Sequence, residues 1–257
     1  MIESGIILNN EKIGKDIWRM VIESPNIAAK ATVGQFVNVR VHDNLEPLLR
    51  RPISLHGIDK DRGTIAFLYL VVGKGTEMMT KMEPRQSINL VGPLGKGFST
   101  DFLGENALVI GGGIGSAPLY PLLQELKKNG KKAKLVLGAA TDQSIVGLYL
   151  YEELEVEVAI ATEDGSLGEQ GFVTAIVEKE LASGKYDYIY TCGPIPMLKA
   201  IEELSAKYKV AGELSTEAHM GCGLGICLSC AAKGKDGKNR KVCQDGPVFR
   251  LGELAYE

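Results

Sequence analysis

Long hydrophobic runs and a strong charge of either sign are both missing from this chain of 257 residues. Its longest apolar runs, at residues 107–110 and 135–140, fall far below the roughly 18–20 residues that cross a bilayer. Residues 1–5 lack the basic start and apolar stretch of a signal peptide. The net charge of −3 offers no footprint for nucleic acid or an anionic membrane. These absences argue against membrane, secreted and nucleic-acid-binding proteins, and predict a cytoplasmic location.

Cysteine is scarce in the chain, whereas glycine is abundant. There are 31 glycines, where the usual share of roughly 7% would give about 18. They fall in discrete clusters between apolar segments, which indicates places where the backbone approaches a ligand closely. The five cysteines, in a chain expected to be cytoplasmic, point to metal ligation or redox work and away from disulfides.

The first part of the chain has the pattern of short strands separated by turns. Strands are predicted over residues 18–23, 36–41, 53–56, 64–72 and 89–91, with one helix over residues 76–82. Short strands at this spacing are typical of an antiparallel barrel or sandwich. We therefore predict an N-terminal antiparallel β-barrel over residues 1–99.

From about residue 106 the pattern changes to alternating strands and helices. Strands are predicted over residues 107–110, 134–137, 156–161 and 186–191, and helices over residues 119–128, 172–181 and 197–208. The first strand is apolar without alternation, as expected when helices cover both faces of a parallel sheet. This predicts a doubly wound parallel α/β domain over residues 100–211. The remaining segment, residues 212–257, is too short to be stable without a metal or another staple.

Four cysteines in this last segment follow the spacing C-x4-C-x2-C-x12-C. They are Cys222, Cys227, Cys230 and Cys243. A C-x4-C-x2-C run with one distant cysteine is the plant-type pattern for a [2Fe–2S] cluster. The glycines at 221, 223 and 225 would let the backbone curl around the inorganic sulfides and donate N–H bonds. The alternative is a structural zinc site, but zinc sites usually show two C-x2-C pairs.

A second motif, R-P-x-S, opens a predicted strand of the barrel. It consists of Arg51, Pro52, Ile53 and Ser54. An arginine here can neutralise the phosphates of a flavin dinucleotide, and the serine can hydrogen-bond the ring near its reactive nitrogen. On its own, such a short motif is more often a solvated strand end.

Two later segments strengthen the flavin interpretation. Leu68, Tyr69 and Leu70 offer strand backbone and an aromatic ring for stacking. Gly75 and Thr76 then lie at the start of the predicted helix, where free N–H groups would receive a pyrophosphate.

A third cluster of glycines joins the first strand of the α/β domain to its helix. The loop comprises Gly111, Gly112, Gly113, Ile114 and Gly115. It would bring the helix N-terminus to a nucleotide pyrophosphate, although Ser116 occupies the third position of G-x-G-x-x-G. The alternative is an ordinary turn between a strand and a helix.

The end of a later strand supports a nucleotide site. Cys192, Gly193 and Pro194 follow residues 186–191, and nucleotides bind at the carboxyl ends of such strands. We expect Cys192 to contact the nicotinamide and not to act as a nucleophile. No arginine lies in residues 138–142, where a 2′-phosphate would need one. That absence favours NAD over NADP.

The order of these motifs resembles the ferredoxin reductase superfamily. Residues 217–230, E-A-H-M-G-C-G-L-G-I-C-L-S-C, and residues 243–249, C-Q-D-G-P-V-F, closely resemble the electron-transfer subunit of type B dihydroorotate dehydrogenase. The resemblance runs the whole length of the chain. It implies that FAD is held by residues 51–54, 68–70 and 75–76, and that the four cysteines are the cluster ligands.

The resemblance also implies a partner and an electron route. The family works with a separate FMN-containing catalytic subunit, usually as a heterotetramer of two of each. Electrons would pass from dihydroorotate to FMN in the partner, then to the cluster, to FAD and to NAD⁺. The cofactors supply this chemistry, so no catalytic side chain is nominated and no orotate site is expected.

Other functions remain open at this point. The chain could be the electron-transfer subunit of a ferredoxin–NADP transhydrogenase, a sulfide or sulfite reductase, or a hydrogenase. A zinc-stabilised scaffold and a free-standing oxidase-type reductase are further alternatives. The all-cysteine ligand set and the absence of arginine near Asp142 favour the dihydroorotate dehydrogenase family over the transhydrogenase.

Overall fold

The computed structural model describes residues 1–42 and 46–256. Within these residues, six N-terminal strands close an antiparallel barrel in the order β1, β2, β5, β4, β3, β6. The strands are Ile2–Gly14 (β1), Ile17–Glu23 (β2), Phe36–Arg40 (β3), Arg51–Asp59 (β4), Thr64–Leu70 (β5) and Ser87–Leu94 (β6). Two short helices interrupt them, Pro25–Lys30 (α1) and Lys74–Met79 (α2). The predicted barrel is confirmed.

The first strand and the first helix were missing from the sequence prediction. β1 carries apolar side chains on its outer face, with Ile2 and Leu8 exposed, and the register with β2 shifts between Ile7 and Asn9. These features obscure the alternation of buried and exposed residues that identifies a strand. Helix α1 has only six residues and begins at Pro25, so it shows little helical periodicity.

The second part of the chain forms a largely parallel sheet in the order β10, β9, β8, β7, β11, β12, β15. These strands are Asn106–Gly112 (β7), Lys132–Ala139 (β8), Glu157–Thr162 (β9), Glu169–Gln170 (β10), Tyr188–Cys192 (β11), Ala211–Ser215 (β12) and Val248–Arg250 (β15). The helices are Leu119–Lys128 (α3), Leu148–Glu153 (α4), Val173–Ala182 (α5) and Ile195–Tyr208 (α6). The predicted doubly wound α/β architecture is confirmed, with α4 as an addition.

The C-terminal segment is built onto the edge of this sheet. Strand β15 pairs antiparallel with β12, and a small hairpin of Ala231–Lys233 (β13) and Asn239–Lys241 (β14) lies between the third and fourth cysteines of the quartet. The lysine-rich residues 233–241 therefore contain the turn of this hairpin. The division of the chain at residues 99 and 211 stays a prediction.

Apolar packing joins the three parts of the chain. Phe36 and Leu94 of the barrel lie in one buried cluster with Leu214 of the sheet and with Cys230 and Cys243. In a second cluster, Ile17 and Leu68 pack against Ala117 and Val146 of the α/β domain. Because non-polar area is shared across both boundaries, the loops that carry the motifs are held at fixed positions relative to one another.

None of the helices in the described residues is both long and apolar enough to cross a membrane.

Asn10 ties the barrel to the end of α2. Its side-chain amide donates to the carbonyl oxygens of Met79 and Met82 at 2.8 and 2.9 Å, and its oxygen accepts a bond from the Tyr69 hydroxyl at 2.9 Å. The ring of Tyr69 is 1% exposed and packs beside Trp18 inside the barrel. One amide thus satisfies three partly buried polar groups.

We expect Asn10→Ala to destabilise the protein by about 2–4 kcal/mol, because it leaves these three groups without partners. Tyr69→Phe removes only one of the bonds and should cost about 1 kcal/mol. In a chain of this size, these losses correspond to melting-temperature decreases of about 4–16 °C and about 2–4 °C. Thermal unfolding of the two variants measures the difference. Equal melting temperatures for the two variants would contradict the role given to Asn10.

Candidate functional site

The four cysteines of the quartet converge around one loop. The Sγ atoms of Cys230 and Cys243 lie 3.2 Å apart, and both side chains are buried. The backbone N–H of Cys222 donates to Sγ of Cys227 at 3.3 Å, and the N–H of Cys227 donates to Sγ of Cys222 at 3.4 Å. The thiols are thus arranged as two pairs, which suits a cluster in which each of two irons takes two thiolates.

The loop backbone is directed at the sulfur atoms. The N–H groups of Leu224 and Ile226 donate to Sγ of Cys222 at 3.3 and 3.4 Å, and the N–H of Gly225 donates to Sγ of Cys243 at 3.1 Å. Hydrogen bonds of this kind stabilise thiolates and tune the potential of an iron–sulfur cluster. Packing against apolar neighbours would not by itself direct these backbone N–H groups at the sulfur atoms.

The shape of the loop depends on two glycines. Gly223 and Gly225 have φ of +70° and +77°, a region that residues with a Cβ seldom adopt. A Cβ at Gly223 would lie 2.1 Å from Nδ2 of Asn38 in the barrel, and one at Gly225 would lie 2.2 Å from Oε1 of Gln244. The glycines therefore let the loop pass close to both neighbours.

The thiols differ in acidity because their surroundings differ. A hydrogen bond with the Ser229 hydroxyl, together with backbone N–H groups, lowers the pKa of Cys227 to about 6. Burial next to Cys230 raises the pKa of Cys243. Metal ligation requires thiolates, so binding releases protons from the buried members of the set.

The quartet fits a binuclear cluster better than a single ion. A structural zinc ion needs four ligands around a single centre. The two thiol pairs and the backbone donors instead match the chemistry of a [2Fe–2S] cluster.

The two parts of the predicted flavin site meet in the structure. Arg51 begins β4, and Gly75 lies in the first turn of α2. A Cβ at Gly75 would lie 2.2 Å from Nε of Arg51, so the guanidinium packs directly against the backbone at this place. The arrangement sets a planar cation beside the start of the helix, which suits a phosphate group.

Arg50 and Thr76, beside Arg51 and Gly75, make hydrogen bonds that hold the structure of the barrel and of the loop before α2. Arg50 donates to the backbone oxygens of Asn38 and Asn89, so it ties strands of the barrel together. The hydroxyl of Thr76 accepts from the N–H groups of Val72 and Gly73 at 3.0 and 3.2 Å and shapes the loop before α2. Arg51 also donates to backbone oxygens, those of Leu49 and Arg50, and it is the phosphate-binding candidate of the R-P-x-S motif because its guanidinium lies beside the start of α2.

The segment 68–70 lies on β5, but its ring does not face outward. Tyr69 points into the barrel core, so the expected stacking of its ring on a flavin is wrong for this arrangement. Leu68 and Leu70 point the other way, toward the α/β domain. Alternate side chains of a strand face opposite sides, and Tyr69 falls on the buried side. Backbone contact remains the role predicted for this segment.

The remaining residues of the R-P-x-S motif lie along β4, the strand that Arg51 begins. Pro52, Ile53 and Ser54 are partly buried on β4, opposite Asn38, Val37 and Phe36 of β3. They lie on the strand that begins with Arg51, so the motif stays together as one segment of the barrel wall.

A cleft of about 700 Å³ opens between the barrel and the carboxyl ends of the parallel strands. Its lining includes Leu70 of the barrel, residues 112–114 of the glycine loop and Pro194. This is the edge of the sheet where nucleotides bind in doubly wound domains. The structure therefore brings together the two predicted nucleotide motifs and one edge of the predicted flavin segment.

Glycine permits direct backbone contact between the two nucleotide motifs. A Cβ at Gly115 would lie 2.8 Å from the carbonyl oxygen of Cys192 and from Cα of Gly193. Gly111 and Gly112 end β7, and Gly113 has φ of +55° at the start of a 3-10 turn over Gly113–Ser116. The loop can thus bend sharply and lie flat against the end of β11.

Cys192 itself is almost completely buried at the end of β11. Burial raises the pKa of its thiol to about 12, so the group is protonated at neutral pH. A protonated thiol is a poor nucleophile. A nucleophilic role is therefore not expected, and the contact of Cys192 with the nicotinamide stays a prediction.

Sequence reasoning missed several residues of the cleft. The exposed ring of Phe172 and the carboxylate of Glu163 lie in its wall, as do Met197 and Lys15. Glu163 comes directly after β9, and Phe172 lies two residues after the end of β10. The rule that ligands bind beyond the carboxyl ends of parallel strands could have found them.

We expect Cys227→Ser to lose the cluster, since it removes one thiolate from a pair. Iron and acid-labile sulfide per chain should fall at least fivefold, and the C-terminal segment should become sensitive to proteolysis. Cys192→Ser is the matched control, because this fifth cysteine lies outside the quartet and should leave the iron content unchanged. Full iron content in Cys227→Ser would contradict the ligand assignment.

Two family models match the chain. Residues 217–255 match the iron–sulfur cluster binding domain of dihydroorotate dehydrogenase B, and residues 109–203 match the oxidoreductase NAD-binding domain. The first match contains the whole cysteine quartet, and the second contains the glycine loop and residues 192–194.

Relatives match over almost the whole length. The electron transfer subunit of dihydroorotate dehydrogenase B (NAD⁺) from Desulforamulus reducens is 41% identical, with 95% of each chain covered. The subunit of the same name from Bacillus caldolyticus is 42% identical, with 96% of each chain covered. The one from Fusobacterium nucleatum is 36% identical and covers 100% of this chain and 99% of its own.

Solved structures share the fold. An NADH-dependent reduced ferredoxin–NADP oxidoreductase that carries out flavin-based electron bifurcation superposes with a TM-score of 0.88 at 30% identity, covering 98% of this chain and 89% of that one. The cytochrome b5 reductase domain of Ulva prolifera nitrate reductase gives a TM-score of 0.67 at 17% identity, covering 81% and 94%, and shows the fold alone. With its cysteine quartet, its glycine loop and its full-length relatives, the chain belongs to the family of electron transfer subunits of NAD⁺-dependent dihydroorotate dehydrogenase B.

Proposed function

We propose that this protein passes electrons between a catalytic partner and NAD⁺, as the electron transfer subunit of a dihydroorotate dehydrogenase complex in pyrimidine biosynthesis. The observation that carries the proposal is the paired arrangement of the four thiols and the backbone donors around them. The nucleotide cleft and the flavin motif lie on the parts of the chain that pack against this loop.

Three groups of residues would hold the cofactors. The thiols of Cys222, Cys227, Cys230 and Cys243 would hold the [2Fe–2S] cluster. Residues 51–54, 68–70 and 75–76 would hold FAD, and residues 111–115 and 192–194 would hold NAD(H). Bound flavin exchanges two electrons as hydride with a nicotinamide and one electron at a time with a cluster, so it belongs between them.

The side chains of this chain bind and orient, and none is assigned a chemical step. Arg51 supplies positive charge at the start of α2. The glycine loop lets a dinucleotide approach the end of the sheet, and the apolar wall of the cleft, which includes Leu70 and Ile114, excludes water from the face nearest the barrel.

We further propose that the partner is an FMN-containing catalytic subunit, in a complex of two of each. The surface around the cluster loop supports a docking partner. Leu224, Ile226 and Leu228 are exposed, and Ile226 is 79% exposed. Exposed apolar side chains grouped around a redox centre mark a surface that another protein covers. A cytoplasmic location remains a prediction from the sequence.

One other function has a specific observation in its favour. The bifurcating oxidoreductase superposes over nearly the entire chain, so a subunit of a ferredoxin–NADP transhydrogenase is the second candidate. The absence of arginine in residues 138–142 disfavours NADP as the nucleotide.

Anaerobic titration with NADH tests the electron-transfer function. NADH should bleach the flavin absorbance and produce the EPR signal of a reduced [2Fe–2S] cluster, because both centres lie on this chain. The native complex, isolated with its partner, should reduce NAD⁺ in the presence of dihydroorotate. A complex that instead couples NADPH to ferredoxin would move the chain to the second candidate. A colourless protein that contains zinc would defeat both.

Ile226→Glu tests the docking surface. The charge should weaken binding of the catalytic subunit at least tenfold, because a carboxylate would have to be desolvated at the interface. NADH should still bleach the flavin of the isolated chain. Leu103→Glu is the matched control, since Leu103 is 96% exposed and outside the cluster loop. Partner affinity measured by biolayer interferometry should be unchanged for Leu103→Glu, and equal losses for the two variants would refute the assignment.

A further inference from the structure

His56 connects the flavin-binding strand to the nucleotide loop. It lies on β4, two residues after Ser54, and only 4% of its surface is exposed. Its Nδ1 lies 2.8 Å from the carbonyl oxygen of Ala117, which follows the 3-10 turn of the glycine loop. A carbonyl can only accept, so Nδ1 carries the proton and donates. This bond crosses from the barrel to the α/β domain.

The sequence explains why Ala117 needs a partner from elsewhere. In a helix, the carbonyl of Ala117 would accept a bond from the N–H of residue 121. Residue 121 is Pro121, which has no N–H. The carbonyl of Ala117, just before α3, therefore cannot accept the bond that would extend the helix, and a buried carbonyl without a partner is costly. The imidazole of His56 fills this gap.

Rings and apolar side chains hold both ends of the bond. The ring of His56 lies 5.2 Å from that of Tyr120, which in turn contacts the ring of Tyr151 edge-on at 5.8 Å. The Tyr151 hydroxyl donates to the carbonyl oxygen of Ser116 at 3.4 Å. Two consecutive carbonyls at the end of the glycine loop are thus held. Tyr151 of the α/β domain donates to that of Ser116, and His56 of the barrel donates to that of Ala117.

The same loop is packed against the barrel by apolar side chains. Ala117 lies in a buried cluster with Ile17 and Leu68, and Ile114 packs on its edge. Ile114 also lines the nucleotide cleft. A movement at Ala117 would therefore be transmitted to the wall of the cleft.

We propose that His56 is a positioning residue that holds the glycine loop at a set distance from β4 and so aligns the nicotinamide with the flavin. The inference rests on the proposed function and adds a residue to it. The aligned step moves two electrons and one proton as hydride between the nicotinamide and the flavin, and a second proton is exchanged with water. His56 takes no part in that exchange.

The neutral state of the His56 imidazole suits a permanent hydrogen bond to Ala117. Burial lowers its pKa to about 4, an effect that the hydrogen bond to Ala117 opposes and the positive charge of Arg19 reinforces. The ring facing it belongs to Tyr120. The imidazole is therefore neutral near pH 7, with its proton on Nδ1.

Two substitutions separate the hydrogen bond from the ring. His56→Phe keeps an aromatic ring beside Tyr120 but removes the donor. His56→Asn removes the ring but keeps an N–H donor near the position of Nδ1. In single-turnover mixing of NADH with the FAD-loaded protein, we expect His56→Phe to slow hydride transfer about tenfold or more. FAD content and the dissociation constant of NADH should change less than threefold. His56→Asn should recover at least half of the parent rate.

Leu126→Ala is the control for general destabilisation. Leu126 is buried in α3, the helix that follows the glycine loop, but lies away from the loop. The Leu126→Ala variant should have a lower melting temperature but an unchanged rate of hydride transfer. The proposal is overturned if His56→Phe transfers hydride at the parent rate, if His56→Asn is as slow as His56→Phe, or if Leu126→Ala slows the step equally.

A spectroscopic measurement tests the bond independently of the reaction. In ¹⁵N spectra of histidine-labelled protein, His56 should show a neutral ring protonated on Nδ1, with slow exchange of that proton. A ring protonated on Nε2 alone would refute the link even if electron transfer were normal. If the proposed function itself were wrong, the result would be different: NADH would not bleach the flavin of the parent protein.

Discussion

Close packing between the barrel and the two parts that follow it is the constraint on which the other features of this molecule depend. Barrel residues such as Phe36 and Leu94 share a buried cluster with Cys230 and Cys243 of the cluster loop. A redox chain requires its centres to stay at fixed separations. Apolar interiors pack densely and resist displacement, so a shared core is an effective way to fix the loops that carry those centres.

Glycine residues allow segments of this packed structure to approach one another closely. Gly75 admits the guanidinium of Arg51, Gly115 admits the backbone at Cys192, and Gly223 admits the side chain of Asn38. Each is a place where a Cβ would collide with a neighbouring segment. The high glycine content of the chain therefore reflects close contacts between segments of the protein itself. The link from His56 to Ala117 belongs to the same system, since it joins the barrel and the α/β domain by one buried hydrogen bond.

Much of the fold could be predicted from local patterns. Helix α3 has the bounds that its periodicity and its ending at Asn129 indicated, and the apolar strand β7 lies where expected. Strand β1 could not be found in this way, because its outer apolar side chains and shifts of register hide the alternation. The joining of β15 to β12 could not be predicted either, since antiparallel pairing across more than thirty residues leaves no local signal.

The spacing of four cysteines, the R-P-x-S motif and the glycine loop were determined by the sequence alone, because ligand type and backbone freedom are properties of the residues themselves. Which of those residues meet was decided only by the tertiary structure. Tyr69 lies inside the barrel because strand pleating turns every second side chain inward. His56 meets Ala117, 61 positions along the chain, because the closed barrel and the start of α3 pack together. Contacts of that kind follow from how the elements pack, and no local pattern of residues records them.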